Sequence, residues 1–332
     1  MSHYPLADNI LTDDVTRDAT RSGFGRGLKA AGEANEAVVA LCADLTDSTK
    51  MNEFAKAFPE RFVEVGIAEQ NLVTLASGMA RAGKIPFTSS YAAFSPGRNW
   101  EQIRTTICLN DQPVKIMGSH AGLYTGKDGA THQILEDIAL MRVLPNMVVI
   151  APGDAIEAEK ATRAIAENGK PSYLRLAREN TPVFSTEHSP FEIGKAYVLR
   201  EGSDVSLLGT GTMTYELLTA AKNLEGHGIS AEVVHVPTIK PLDGDTILAS
   251  VKKTGRVVTA EEAQINGGFG AAVAELLGEQ MPTPLKRIGV EDHFGESGTP
   301  EELFEHFGLT GAKIAQTVKT FVHEKPQYHR EY

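Results

Sequence analysis

The chain reads as an α/β protein of two domains, a mostly parallel-sheet domain followed by a smaller α/β domain. Three observations predict this. Its 332 residues suffice for about two domains with sizeable cores. Its first two-thirds alternates short apolar runs with helical periodicity, the pattern of a parallel sheet covered on both faces. A stretch at 179–192 with two prolines and few aliphatic residues then breaks the pattern, and a second α/β series follows. The expected domains are therefore 1–185 and 186–332, with 179–192 as the linker between the two series.

Taken in order, apolar runs at 38–42, 62–65, 85–88, 114–117, 147–150 and 172–176 predict strands, with 62–65 short and buried. Helical spacing near 23–34, 68–82, 99–109, 134–142 and 154–168 predicts the helices between and beside them. In the second series, strands are expected at 205–208, 231–236, 256–260 and 287–290, with helices between them and a last helix at 313–323. There is no internal repeat and no low-complexity segment.

Apolar residues make up 42% of the chain and charged residues 23%, as in an ordinary soluble domain. A net charge of -11 argues against a nucleic-acid-binding surface. Cys42 and Cys108 both lie in apolar runs and are expected as buried free thiols. The first fourteen residues are polar and partly acidic, without an apolar signal core, and no apolar run approaches a membrane span. A cytoplasmic location is the expectation.

Three segments carry the chemistry. In Arg61-Phe-Val-Glu-Val-Gly-Ile-Ala-Glu-Gln-Asn71, a strand leaves through Gly66 into a helix, which puts Glu69 at a strand's carboxyl end and in a helix's first turn. Open α/β sheets build ligand crevices at such edges. By itself Glu69 could equally be an acid that complements the helix dipole. Ser90-Tyr-Ala-Ala-Phe94 follows the next apolar run, and its two rings could be core aromatics. His120-Ala-Gly-Leu-Tyr-Thr-Gly-Lys-Asp-Gly-Ala-Thr-His-Gln133 is a long polar loop after a strand, of the kind more often functional than merely connecting. Its two histidines stand twelve residues apart in a loop without cysteine, which does not suit a metal.

In this order and at these distances, the three segments resemble the pyrimidine-binding domain of thiamine-diphosphate enzymes, in the branch of the transketolases and 1-deoxyxylulose-5-phosphate synthases. The resemblance runs from about Ala19 to about Phe321. The chain is similar to the C-terminal half of a transketolase standing as a separate polypeptide. The resemblance implies that Glu69, with its pKa raised in a desolvated cleft, holds the ring nitrogen of the cofactor's aminopyrimidine and favours the tautomer that deprotonates the thiazolium carbon. It implies that Phe94 stacks on that ring, that Tyr91 lines the same pocket and that Asp44 lies near the cofactor. Asp128 would bind a substrate hydroxyl, and His132 would contact the reacting carbonyl or hydroxyl. His120, Arg21, Ser48 and Arg178 would hold the substrate's phosphate, which needs several convergent donors. Taken alone, these last positions are a surface arginine, a loop serine or a helix cap.

The chain departs from the family pattern at two places. Ser95-Pro-Gly97 is one residue longer than in the synthases, which leaves open whether Arg98 faces substrate. Lys127 stands where glutamate is common. The Gly-Asp-Gly segment and later asparagine that hold Mg2+ and the diphosphate in this family do not occur. The resemblance therefore implies an N-terminal partner subunit carrying that end of the cofactor, in an α2β2 heterotetramer. The implied reaction moves a two-carbon ketol unit from a ketose phosphate to an aldose phosphate, with pentose phosphates as default substrates. The beta subunit of a 2-oxoacid dehydrogenase, a synthase-like enzyme and a non-catalytic interaction module are the alternatives. In the second domain, Leu208-Gly-Thr-Gly-Thr-Met213 and Gly267-Gly-Phe-Gly270 each follow a strand and open a helix. Neither is a full dinucleotide-binding fingerprint, so both are expected as tight turns.

Overall fold

The computed structural model describes residues 4–324. The first series runs β1 (Arg17–Asp18), α1 (Thr20–Ala34), β2 (Val38–Cys42), α2 (Asn52–Ala57), β3 (Phe62–Glu64), α3 (Glu69–Arg81), β4 (Ile85–Tyr91), α4 (Trp100–Gln102), β5 (Lys115–Ser119), α5 (Asp137–Arg142), β6 (Val148–Ile150), α6 (Ala155–Glu167), β7 (Ser172–Arg175) and β8 (Thr181–Pro182). The second runs β9 (Tyr197–Arg200), β10 (Val205–Gly209), α7 (Met213–Glu225), β11 (Ala231–His235), β12 (Thr238–Lys240), α8 (Gly244–Thr254), β13 (Val257–Gln264), α9 (Phe269–Gln280), β14 (Leu285–Val290), α10 (Pro300–His306) and α11 (Gly311–His323).

Two sheets result. The larger has the order β12-β6-β7-β5-β4-β2-β3, and the smaller β14-β13-β10-β11-β9. Within these two sheets pairing is parallel, except at one edge of each, where β12 runs antiparallel to β6 and β9 antiparallel to β11. Strands β2 and β5 are buried at every position, as expected of strands covered on both faces. The two thiols, Cys42 and Cys108, are buried and free. Among the described residues, no helix is long and apolar enough to cross a membrane.

Several elements differ from the sequence reading. Strand β3 ends at Glu64 and is half-buried, because it pairs only with β2 at the sheet edge. A short apolar run does not distinguish an edge strand from a central one. The helix expected at 99–109 is one short α-helical piece followed by a π-helical segment, Ile103–Cys108. The helix expected from 134 begins at Asp137, since the preceding residues finish the polar loop. Helix α2 was not expected; among its six residues only Phe54 is buried, too little to show a period.

The stretch at 179–192 is not a free linker. Strand β8 within it pairs antiparallel with β1, and residues 181–185 are buried. The carboxylate of Asp154 accepts the N–H groups of Phe184 at 2.9 Å and Ser185 at 2.7 Å, and that of Glu157 at 2.9 Å. One acid thus caps α6 and pins the connection, and an N-cap of this kind is worth about 1 kcal/mol. The sharpest departure is β12. It lies beyond residue 186, yet it extends the larger sheet, with Thr238 opposite Ile150 and Lys240 opposite Val149. Three residues are too few for a pattern, so neither β12 nor the four-residue β9 was visible beforehand.

Candidate active site

Strands β2, β3, β4, β5 and β7 are mutually parallel, so their carboxyl ends share one edge of the larger sheet. The candidate residues Asp44, Ser48, Glu69, Tyr91, Phe94, His120, Asp128, His132 and Arg178 lie in or next to the segments that leave this edge, and Arg21 joins them from the first turn of α1. Open parallel sheets place their ligand crevices there.

The chain leaves β3 through Gly66, whose φ of 71° suits glycine. Glu64 ties this exit to its neighbour. Its Oε1 accepts the N–H of Asp44 at 2.7 Å and that of Gly66 at 3.1 Å, and its Oε2 accepts the Thr46 hydroxyl at 3.0 Å. Glu64 escaped the sequence reading, where it was only the end of a strand. Asp44 itself is exposed, with φ 57°. Glu69 opens α3 with its side chain 2% exposed. Its Oε2 accepts from Arg98 Nη1 at 2.7 Å, and its carbonyl accepts from Asn99 Nδ2 at 2.7 Å. Asn99 Oδ1, on the amide that meets this carbonyl, is buried without a hydrogen-bond partner among the described residues. The hydroxyls of Ser89 and Ser90 in β4 are also unpartnered among them, on opposite faces of the sheet.

The aromatic pair is half-buried and faces the polar loop, so these rings are not closed-core aromatics. Tyr91 stacks on His120 with centroids 3.8 Å apart, and Phe94 lies nearly parallel to Tyr91 at 6.2 Å. His132 meets Phe94 edge-on at 5.4 Å, and Thr131 Oγ1 lies 2.9 Å from its Nδ1. Arg98 sits over the Phe94 ring, 4.9 Å from its centroid.

His120 is held in the left-handed region at φ 56°. Its carbonyl accepts the Thr125 hydroxyl at 2.6 Å, and Ser119 Oγ lies 2.9 Å from its Nδ1. Burial, then Arg21, Arg178 and His132, push its pKa down to about 2, so the ring is neutral. Arg21 is also lowered, by burial first and then by Arg178. Its Nη1 donates to the carbonyl of Ser48 at 2.7 Å, and its Nε is buried without a partner among the described residues. Arg178 donates to Thr125 O at 3.0 Å and pairs with Asp128 at 3.2 Å and Glu179 at 3.5 Å. Asp128 is therefore bound to an arginine of the same cluster. Lys127 is exposed and, with Arg17, Asp128, Arg178 and the start of α10, lines a cavity of about 760 Å³ beside it.

The second domain braces this loop. Glu262 Oε1 accepts the N–H of Tyr124 at 2.8 Å, and Gln133 Nε2 donates to Glu296 O at 2.8 Å. Gly122 makes the contact possible: at φ 70°, a Cβ there would stand 2.3 Å from Glu262 Oε1 and 2.4 Å from Arg175 Nη2. None of these braces had a sequence signal, since each partner is more than a hundred residues away.

Two subsites emerge. One joins the buried carboxyl group of Glu69, the orphaned amide oxygen of Asn99 and the half-buried rings; that set fits a flat heteroaromatic ring with a polar edge. The other joins Arg21, Arg178 and neutral His120, and its orphaned guanidinium N–H fits an anion. Among the described residues, no group of three or more His, Cys, Asp or Glu could hold a metal.

Comparison with known proteins finds matches for both domains of the chain. Residues 17–183 match the family described as transketolase, pyrimidine binding domain, and residues 194–314 match transketolase, C-terminal domain. A putative transketolase C-terminal section of Methanocaldococcus jannaschii is 44% identical over 301 residues, 90% of this chain and 94% of that protein. A 6-deoxy-6-sulfo-D-fructose transketolase subunit of a Clostridium species is 42% identical over 293 residues, 88% of this chain and 91% of that protein. A solved structure titled split gene transketolase, inactive beta4 tetramer, superposes with a TM-score of 0.86 at 47% identity, covering 92% of this chain and 98% of that one.

Proposed function

We propose that this chain, which belongs to the transketolase family, is the half of a split transketolase that holds the pyrimidine end of thiamine diphosphate and the tail of a sugar phosphate. The observation that carries this reading is the meeting of Glu69, Phe94, Tyr91 and His132 beside Arg21, His120 and Arg178 on one sheet edge. The family depends on thiamine diphosphate. When bound, that cofactor supplies an acidic thiazolium carbon able to add to the donor's carbonyl.

Each residue then has a stated task. Glu69 shares a proton with the ring nitrogen from a site shielded from water, where such a bond is strongest. Phe94 offers its face to the ring, and Tyr91 closes the pocket behind it. His132 and Asp128 orient the sugar's carbonyl and hydroxyl groups. Arg21, Ser48, His120 and Arg178 bind the terminal phosphate, with two guanidinium groups matching its geometry. His120, being neutral, offers one ring N–H without adding a third charge to the cluster. A sulfonate, the group named in one relative, is likewise a tetrahedral anion but carries one negative charge where a phosphate monoester carries about two.

The diphosphate and its Mg2+ belong, in this proposal, to an N-terminal partner subunit in a heterotetramer with two copies of each chain. Two facts support it: these residues contain no Gly-Asp-Gly segment, and relatives of nearly this length are named as sections or subunits. The setting is cytoplasmic carbohydrate metabolism, and the reaction is transfer of a two-carbon ketol unit from a ketose phosphate to an aldose phosphate. The test is reconstitution with candidate N-terminal subunits, thiamine diphosphate and Mg2+, followed by a donor and acceptor screen. Turnover is expected only with a partner. Steady turnover by this chain alone would remove the partner requirement, and absence of ketol transfer with every partner that binds would overturn the reading.

A further inference from the structure

The strongest unassigned contact is that of Arg98. Its guanidinium donates to the carboxylate of Glu69 at 2.7 Å and at the same time lies 4.9 Å from the centroid of Phe94. Those are the two groups that the proposed function gives to the aminopyrimidine, one for its ring nitrogen and one for its face. A single side chain thus covers both contacts. The carboxylate is the fixed partner: Glu69 is 2% exposed, starts a helix, and has its carbonyl tied to Asn99. Arg98 is the movable one: its side chain is 50% exposed, and it stands on the irregular segment between β4 and α4. A buried carboxylate without a partner is costly, and a flat, delocalised cation that also stacks on an aromatic ring is well suited to stand beside it.

We infer that Arg98 is a placeholder for the cofactor's aminopyrimidine, a positioning residue that keeps the carboxylate of Glu69 satisfied and aimed into the site until the ring displaces it. The inference rests on the reading of Glu69 given above. It makes a prediction of unusual sign. A residue that supports a bound ligand weakens binding when removed, whereas a placeholder competes with the ligand and strengthens binding when removed.

The test uses the full chain with thiamine as the probe, which carries the pyrimidine end without the diphosphate. Affinities are measured by calorimetry or ligand-observed NMR for wild type, Arg98→Ala, Arg98→Met and Arg98→Lys, with thermal melts to check folding. The alanine and methionine variants are expected to bind thiamine about tenfold more tightly, the factor lost with one exposed charge-assisted contact. Lysine, which can still pair with Glu69, is expected to restore the wild-type weakness. Adding Glu69→Ala to Arg98→Ala is expected to abolish the gain. If Arg98→Ala and Arg98→Met bind no more tightly than wild type, while the double variant binds more weakly than Arg98→Ala, the placeholder role is wrong and the Glu69 reading stands. If the double variant binds as tightly as Arg98→Ala, the Glu69 reading itself fails and takes the inference with it.

Discussion

At the carboxyl edge of the larger sheet, Arg21 Nε, Asn99 Oδ1 and the hydroxyls of Ser89 and Ser90 are buried with no partner among the described residues. At the corresponding edge of the smaller sheet, Thr210 Oγ1 and one oxygen of Glu157 are likewise unpartnered among the described residues, but each acid there is engaged through at least one oxygen by the protein itself. Glu261 accepts the N–H groups of Phe269 and Gly270 at 2.7 and 2.8 Å and so starts α9. Glu262 accepts from Tyr124 and Thr212 and faces Arg175. His235 lies between Thr214 at 2.6 Å and Glu157 at 2.7 Å. Both edges are built from parallel strands and glycine-bearing turns. The difference teaches that edge position alone does not make a site. An edge whose ionisable groups pair with one another holds domains together, and an edge that leaves a guanidinium N–H unpaired has room for an anion.

The largest effect that would break this comparison is at Glu69. Glu69→Gln keeps the shape but cannot share the proton. In the reconstituted complex, hydrogen–deuterium exchange at the thiazolium carbon should slow by about 10²–10⁴-fold, the usual scale for a lost proton-transfer group. An unchanged rate would end the assignment of Glu69.

Next comes the network that ties the smaller sheet to the larger, where Arg175 at the end of β7 meets Asp137 of α5 and Glu262 of β13. Arg175 pairs with Asp137 at 3.0 Å and donates to Glu262 O at 2.8 Å, all of them buried. Arg175→Met strands two carboxylates and should cost about 3–5 kcal/mol in denaturant unfolding. A loss within about 0.5 kcal/mol, the range of an ordinary surface change, would show that this edge does not hold the domains.

Arg178 sharpens the contrast on the ligand side. Arg178→Ala should lower kcat/KM for a phosphorylated aldose about tenfold to a hundredfold, from a charge-assisted contact of about 1.5–3 kcal/mol. The unphosphorylated aldose should lose much less. Equal losses for both would mean that Arg178 does not read the phosphate.

The smallest effects are in pH dependence, and the two edges have opposite signs. The folded pKa of His120 is pushed below its ordinary value of 6.5, to about 2. The unfolded chain therefore binds the proton first, and this group's contribution is complete above pH 6.5 and lost as pH falls toward 2. Burial raises Glu261 from 4.5 to about 7, ahead of the opposing N–H bonds. Its contribution is complete below pH 4.5 and lost as pH rises through 7. Each slope is at most about 1.4 kcal/mol per pH unit. His120→Asn should flatten the acid limb of the stability curve, and Glu261→Gln the limb between pH 4.5 and 7. Parallel curves for variant and wild type would show that the group does not titrate with folding.

Much of the fold was legible in the residues. The strand and helix series, the two buried thiols and the turn character of the glycine-rich segments all follow from periodicity and turn chemistry. Those signals are local: a buried run such as Val38–Cys42, or the passage from Phe62 through Gly66 to Glu69, depends on neighbours a few positions away. The same locality let Glu69, Tyr91, Phe94 and the 120–133 loop stand out as candidates, and family resemblance suggested their roles. What the sequence left undetermined is what depends on distant partners. Arg98, left open in the sequence, meets Glu69 across 29 residues. Glu262 holds Tyr124 across 138 residues, and β12 joins a sheet whose other strands precede residue 186. Neutral His120 exists only because burial and two arginines from separate segments surround it. Which loops share an edge is decided when the sheets close and the domains pack, and only then do charges far apart along the chain come within a few ångströms of one another.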